Sequence, residues 1–401
     1  MSTASRTLLL LALSLSVLML AGCWDRVEVN DLAIIRAAGI DKGTDDQIEL
    51  TVLIIVPKSS SGGAQLVEQD QEQGGGGSHR TMLRSAKGRT IAEALSKLQY
   101  QIPRRLFWGH TKVMIIGEEL ARKDIRHQFD YILRHPQLRL RSHVFVSEGN
   151  AKDVLTLVPA IERDLAEVIR ENAVVNAGLD VTIKQLAQML IGESNAAALP
   201  YVKIMPAPPG QNKKQATPYI DGTAVLKNGK MVGTINERET EGLLWLRDEM
   251  KRETITIKLP ETDGYFSMAL FRSSSELKPK IQKDNWQIQL KAEMILDVYQ
   301  NASNLEITPQ ITRMLEQELN AEVERRVREA LEAAQKLNAD VFGFAGAFHR
   351  AYPAIWKQSK DRWDEIFPNV EVTTDIKTKV KRPGQVRQPA LIPDEEIIKK
   401  V

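Results

Sequence analysis

One cysteine, Cys23, stands in a chain of 401 residues, so no intrachain disulfide can form and stability must come from packing. Charge of one sign is not in excess: the formal net charge is +2, which is no electrostatic footprint for nucleic acid. Past the amino terminus no apolar run approaches the roughly 20 residues a membrane-spanning helix needs. Gly-x-Ser-x-Gly, the P-loop and Gly-x-Gly-x-x-Gly after a strand are all missing. The six histidines, His79, His110, His127, His135, His143 and His349, form no His-Glu-x-x-His pattern and none lies near the cysteine, which argues against a zinc site. Carboxylate pairs such as Asp45-Asp46 fall in turns, where solvation is the plain reading. These absences predict a protein without catalytic residues, metal or other cofactor.

What is present begins at the amino terminus. Arg6 precedes an apolar run from Leu8 to Leu20, and Leu20-Ala21-Gly22 leads into Cys23. A basic start, a short apolar core and small residues before a cut site make a secretory signal peptide over residues 1–22. Leu-Ala-Gly-Cys resembles the lipobox of bacterial lipoproteins, in which the cysteine thiol takes a diacylglycerol and the new amino terminus can be acylated. One acyl chain holds a protein only marginally, at about 0.8 kcal/mol per buried methylene, so stable anchoring takes two. The competing readings are a free thiol after an ordinary cleavage site and a buried core cysteine. Cys23 as the lipid-bearing residue predicts a body tethered to an extracytoplasmic membrane face, with membrane lipid as its first partner.

Behind the anchor, Leu32 to Ile40 and Ile48 to Val56 read as an antiparallel hairpin with a Gly- and Asp-built turn. Lys58 to Ser78 is rich in Gly and Ser and reads as a flexible loop inside a domain, with an interdomain linker as the alternative. A strand at His79 to Ala86, a helix capped by Thr90, a strand at Thr111 to Ile116, a helix from Glu118 to Leu133 and a strand at Leu138 to Val146 follow. Helices from Asn150, from Ile161 and over Val181 to Leu190, then a strand ending at Met205, complete an α/β domain over residues 23–205. Residues 206–218, rich in Pro, Gly and Lys, read as an interdomain linker. Asn228-Gly229 between two β runs predicts a tight hairpin, and Asn236 to Met250 a helix; together they suggest a small middle domain or subdomain over 219–252.

Residues 253–384 read as a C-terminal α/β domain with strands at Thr254–Leu259, Tyr265–Phe271, Glu276–Lys283, Trp286–Tyr299 and Val370–Val380. Thr308-Pro309 opens a long helix whose Ile311, Leu315, Leu319, Val323, Val327, Leu331, Ala334 and Leu337 form one apolar stripe. That stripe is expected to pack on the domain's own sheet, while Glu316, Glu318, Glu322, Glu324, Arg325, Arg326, Arg328 and Glu329 face solvent or a partner. The aromatics from Phe342 to Trp363 read as core, with a ligand pocket as the alternative. Residues 385–401 are expected to be a disordered tail. The basic residues Arg104, Arg105, Lys112, Arg134, Arg139 and Arg141 read as a solvated surface that could instead face phosphate headgroups. The predicted fold class is α/β in the mixed α+β sense: three domains, mixed sheets flanked by helices, and a long amphipathic helix near the C-terminus.

Several stretches in order resemble one family. They are Cys23-Trp24-Asp25 through Gly39-Ile40-Asp41; His110-Thr111-Lys112-Val113 to Ile116-Gly117-Glu118; Asp221-Gly222-Thr223-Ala224-Val225 through Gly233 to Glu239-Thr240-Glu241-Gly242-Leu243-Leu244-Trp245-Leu246; and Ala339-Asp340-Val341-Phe342-Gly343-Phe344 through Phe348-His349-Arg350, Tyr352-Pro353, Trp356-Lys357 and Trp363 to Phe367-Pro368. Together they look like the Ger(x)C family, the C subunit of bacterial spore germinant receptors. The long glycine-rich insert, the bland Ala345-Gly346-Ala347 and the tail beyond Gly384 depart from that pattern. The resemblance implies a three-domain lipoprotein on the outer face of the spore inner membrane, beside integral membrane A- and B-type receptor subunits. It carries over one modified residue, Cys23, and no catalytic ones. A solute-binding lipoprotein of a transporter stays open as an alternative; it would show two similar lobes around a cleft. An anchored hydrolase is the third class, for which no catalytic constellation is present.

Overall fold

The computed structural model describes Ser5, Thr7 and residues 31–56, 80–158, 164–175, 178–260, 263–382, 388–389 and 391–398. Cys23, the leader through Asn30 and the Lys58 to Ser78 insert lie outside the described residues.

Strand β1 (Leu32–Lys42) alternates at first and is buried continuously from Ala37 to Asp41, because both faces of the sheet are covered there. It pairs antiparallel with β2 (Ile48–Val56), the turn carrying Asp45 and Asp46 at positive φ, and β3 (Arg80–Gly88) pairs with β2. Helix α1 (Ile91–Tyr100) starts where the Thr90 side chain accepts the Glu93 N–H. Strands β4 (Arg105–Phe107) and β5 (Val113–Gly117) both run parallel beside β1. The helix expected from Glu118 to Leu133 is two, α2 (Glu118–Ala121) and α3 (Arg126–Arg134). Between them the Ile125 N–H donates to the Gly229 carbonyl and Asp124 accepts from the Arg126 N–H, so tertiary bonds replace helical ones. Strand β6 (His143–Ser147) is shorter than expected, because the Ser142 hydroxyl donates to the Thr111 and Arg139 carbonyls and holds the approach in a turn. Helices α4 (Ala151–Leu155), α5 (Leu165–Val175) and α6 (Ile183–Leu190) follow, the last under a reciprocal Thr182–Gln185 cap.

Strands β7 (Ala196–Met205), β8 (Thr217–Lys227) and β9 (Lys230–Ile235) complete a nine-stranded mixed sheet of order β3-β2-β1-β5-β6-β7-β8-β9, with β4 also on β1. Asn228 and Gly229 take φ of 51° and 77°, as a two-residue hairpin requires. Helix α7 (Glu237–Leu246) opens under an Asn236–Glu239 capping box. Two features of this sheet bear on the expected boundaries. Residues 206–218 connect neighbouring antiparallel strands of one sheet, with Met205 already opposite Thr217. The middle unit over 219–252 has no core of its own: its hairpin is the sheet's edge, and Leu243, Leu244 and Leu246 share one apolar core with the long C-terminal helix. Two strands and one helix cannot enclose enough apolar surface alone.

The second sheet has four strands, β10 (Thr254–Lys258), β11 (Tyr265–Gln282), β12 (Asn285–Ala302) and β13 (Glu371–Arg382), in that order. The strands expected at 265–271 and 276–283 are one strand of 18 residues, kinked by irregularities at Ser267/Met268 and Leu270/Arg272. Helix α8 (Pro309–Lys336) starts where the Thr308 side chain accepts the Ile311 N–H, and its apolar stripe is buried from Ile311 to Ala334. Helices α9 (Phe344–Ala351), α10 (Pro353–Ser359) and α11 (Trp363–Ile366) carry the aromatics inward. Trp286 of β12 meets Phe348 at 4.7 Å and Trp363 at 6.0 Å between ring centroids, edge on, so this cluster is core. The tail departs from the expected disorder at residues 391–398: the Ile398 N–H donates to the Asn304 carbonyl at 2.8 Å, and Ile397 is buried. No described helix is long and apolar enough to cross a membrane.

Candidate functional site

The residues that carry the family resemblance can be placed one by one. Asp41 ends β1 with its carboxylate buried, accepting the N–H of Ala151 at 2.6 Å and of Lys152 at 2.9 Å. It therefore caps α4 from across the sheet; Asn150, the expected cap, makes no such bond. Burial pushes the Asp41 carboxyl above its ordinary range, against the pull of those two N–H groups. Gly117 gives this carboxylate room, since a methyl there would lie 2.1 Å from Asp41 Oδ1. Asp340 is fully buried, and its two oxygens accept the N–H groups of Phe342, Gly343, Phe344 and Ala345 at 2.7–3.2 Å. Burial raises its pKa, with those four bonds opposing. Thr223 meets Thr240 hydroxyl to hydroxyl at 2.9 Å, fixing α7 on the hairpin before it.

The charged face of α8 departs from the expectation. Glu322 and Arg326 are buried, because α7 and the Glu253 segment cover them. Arg326 pairs with Glu322 and Glu241, each at 2.8 Å, and with Glu253. Glu322 also meets Arg238 at 3.0 Å and Arg325 at 2.6 Å. Glu253 and Arg326 Nη1 are in ion-pair contact without a well-aligned hydrogen bond. Burial pushes the Glu241 carboxyl up, against the attraction of Arg326. This network is an internal joint between the two sheets. Glu324, Arg325 and Arg328 stay exposed on the outer face.

Sequence reasoning missed two clefts. A polar one of about 620 Å³ lies where α6, α7 and α9 meet, lined by Glu193, Arg247, Glu249, Ser275 and Arg350 among others. Glu193 accepts from Trp356 Nε1 at 2.9 Å, and Arg247 donates to Glu249 at 2.8 Å. Its residues come from distant segments without a shared motif, so no spacing could reveal it. The expected basic run divides. Arg134 pairs with Asp130 on an exposed helix face, and Arg104 and Arg105 lie at β4, whereas Lys112, Arg139 and Arg141 line a second cleft with Arg36 and Arg170. Among the described residues no group of three or more His, Asp or Glu is arranged to hold a metal. The two sheet units, of nine and four strands, are dissimilar, unlike the paired lobes of the solute-binding alternative.

Residues 25–204 match the family model "Spore germination protein N-terminal domain", and residues 221–384 match "Spore germination B3/ GerAC like, C-terminal". The two models divide the chain where the linker was expected, although the nine-stranded sheet runs through that point. The chain is 27% identical over 408 residues to Spore germination protein KC of Bacillus subtilis (strain 168), covering 96% of this chain and 97% of that one. It is 26% identical over 380 residues to Spore germination protein B3 of the same organism, covering 92% and 96%. The crystal structure of the GerBC protein is similar in fold, with a TM-score of 0.55 at 22% identity over 88% of this chain and 99% of that one.

Proposed function

Because the chain belongs to the spore germination B3/GerAC-like family, we propose that it is a lipid-anchored subunit of a nutrient germinant receptor, needed for spore germination. The observation that carries this reading is the pair of germination family models, matched in order over residues 25–204 and 221–384. In this reading the Cys23 thiol bears a diacylglycerol, and the body stands on the outer face of the spore inner membrane. Eight residues lie between Cys23 and Leu32 in the sequence. A stretch of that length reaches at most about 30 Å, so the sheets stay near the bilayer. Confinement raises the effective concentration toward integral membrane A- and B-type subunits, and modest contacts then suffice for assembly. The protein works through surfaces and not through turnover, with no cofactor other than the covalent lipid. The buried carboxylates of Asp41 and Asp340 support this, since their oxygens are occupied by backbone N–H groups.

Deleting the gene is expected to slow germination triggered by nutrients and to leave intact germination by agents that bypass the receptors. A normal nutrient response in a strain lacking this chain and any redundant paralogue would overturn the reading. Cys23→Ala tests the anchor separately: the variant should fold and leave the membrane fraction, and full retention would show that something other than the thiol holds it.

A further inference from the structure

The second cleft, of about 310 Å³, is built from four segments separated in sequence. Strands β1, β5 and β6 are parallel, and the starts of β5 and β6 lie in register beside Ala37 in the middle of β1. The Lys112 N–H donates to the Arg36 carbonyl at 2.9 Å, and the His143 N–H to the Lys112 carbonyl at 2.8 Å. Arg36, His110, Lys112, Arg139 and Arg141 thereby surround one hollow, and Arg170 closes it from α5.

The charges there do not balance. Arg36 is held by Asp164 at 3.1 Å and Glu167 at 3.3 Å, Lys112 by Glu167, and Arg170 by Glu171. Three carboxylates thus answer three cations. Arg139 and Arg141 are exposed and have no ion-pair partner among the described residues. Arg170 Nε is shielded from solvent and finds no acceptor there. His143 faces Asp180 at 2.6 Å and adds no free carboxylate. His110 stands at the rim, its ring 5.8 Å from that of Phe107. Burial lowers its pKa, and Arg139, Arg36, Arg141 and Lys112 push it the same way. Guanidinium groups match phosphate oxygens in a fork-like geometry.

We propose that this cleft is an anion site for a phosphate-bearing group, either a phospholipid headgroup or a free phosphate. The proposal stands apart from the receptor reading and does not depend on it. The test follows the His110 imidazole by NMR in the purified full-length chain, with inorganic phosphate, with dihexanoyl phosphatidylglycerol below its micelle concentration, and with sodium chloride at matched ionic strength. A bound phosphate is expected to raise the His110 titration beyond the effect of chloride. The R139Q/R141Q double variant, altered at two exposed unpaired side chains, should titrate higher than wild type without ligand and bind about tenfold or more weakly, a loss of about 1.4 kcal/mol or more. The R134Q variant, outside the cleft, should respond as wild type does. A response to the lipid alone assigns a headgroup; a response to inorganic phosphate alone or to both assigns the phosphate itself. No response to either probe, an equal response to chloride, an undiminished response in the double variant, or an equal loss in R134Q would overturn the site.

Discussion

A methyl group at Gly242 would lie 2.1 Å from the Arg326 carbonyl oxygen, so α7 and α8 touch backbone to backbone at this point. The same methyl would lie 2.8 Å from Ala330 Cβ. Few helix pairs come this close unless one residue lacks a side chain. Around the contact, Arg326 collects Glu241 from α7, Glu322 from its own helix and Glu253 from the segment between. The unit that carries the hairpin and the unit that carries the four-stranded sheet are joined here by shape first and by charge second.

Gly242→Ala should therefore destabilise the protein by about 1–3 kcal/mol, the usual cost of overpacking. It should do so although alanine is about 0.8–1.0 kcal/mol better than glycine in a helix. Gly346→Ala, in α9, is the control: its methyl would meet only the end of Arg350 at 3.2 Å, and a gain is expected. Chemical denaturation of both variants checks the opposite signs; equal effects would show that the α7–α8 contact is looser than described.

Arg326→Leu removes the cation from three carboxylates in a buried place. The expected loss is about 3–5 kcal/mol, because Glu241 and Glu253 lose the Arg326 cation, while Glu322 keeps Arg238 and Arg325. Burial holds the Glu241 carboxyl above its ordinary range, and without the guanidinium the attraction that opposes this is gone. The penalty is then present at neutral pH and relieved as pH falls through the raised value. Denaturation midpoints of variant and wild type should converge on acidification; a constant gap would place the loss in packing alone.

Asp41→Ala leaves the N–H groups of Ala151 and Lys152 without their acceptor. A loss of about 1–3 kcal/mol is expected for buried donors left unsatisfied. Asp41→Asn, which keeps one acceptor oxygen, should fall between. Hydrogen exchange at Ala151 and Lys152 reads the cap directly, and unchanged protection in the alanine variant would refute it.

The Asp180 carboxyl lies below its ordinary range, chiefly through its hydrogen bond to His143 and despite burial, with Lys251 and Arg170 adding a little. A depressed carboxylate contributes stability that is full above its unfolded value, about 3.9, and lost as pH falls through the folded value. Asp180→Asn should lower stability at neutral pH and flatten the acid limb of the stability curve. A limb as steep as that of wild type would move the cause to other carboxylates.

Much of the fold was legible wherever a structure is decided within a few residues. Thr308-Pro309, Thr182 with Gln185, and Asn236 with Glu239 start helices because their side chains answer N–H groups three residues on. Asn228-Gly229 turns the chain because both residues accept positive φ. The stripe from Ile311 to Ala334 shows which side of the long helix is buried. The family blocks were legible as well, although what they do is structural: Asp41, Gly117, Gly242 and Asp340 each sit at a close approach or a buried cap.

Only the tertiary structure decided the rest, because burial of a polar group depends on what arrives from elsewhere in the chain. Glu322 and Arg326 have the spacing of an exposed charged face, and they are inside because α7 lies on them. The segment between Ala121 and Arg126 has helical composition and unwinds because Gly229, in a hairpin about a hundred residues later, offers Ile125 a carbonyl. Arg36, Lys112, Arg139 and Arg141 are scattered charges in the sequence, and parallel strands bring them to one cleft. Local rules choose caps, turns and faces; the meeting of distant segments chooses which charges lose their water and which are left without a partner.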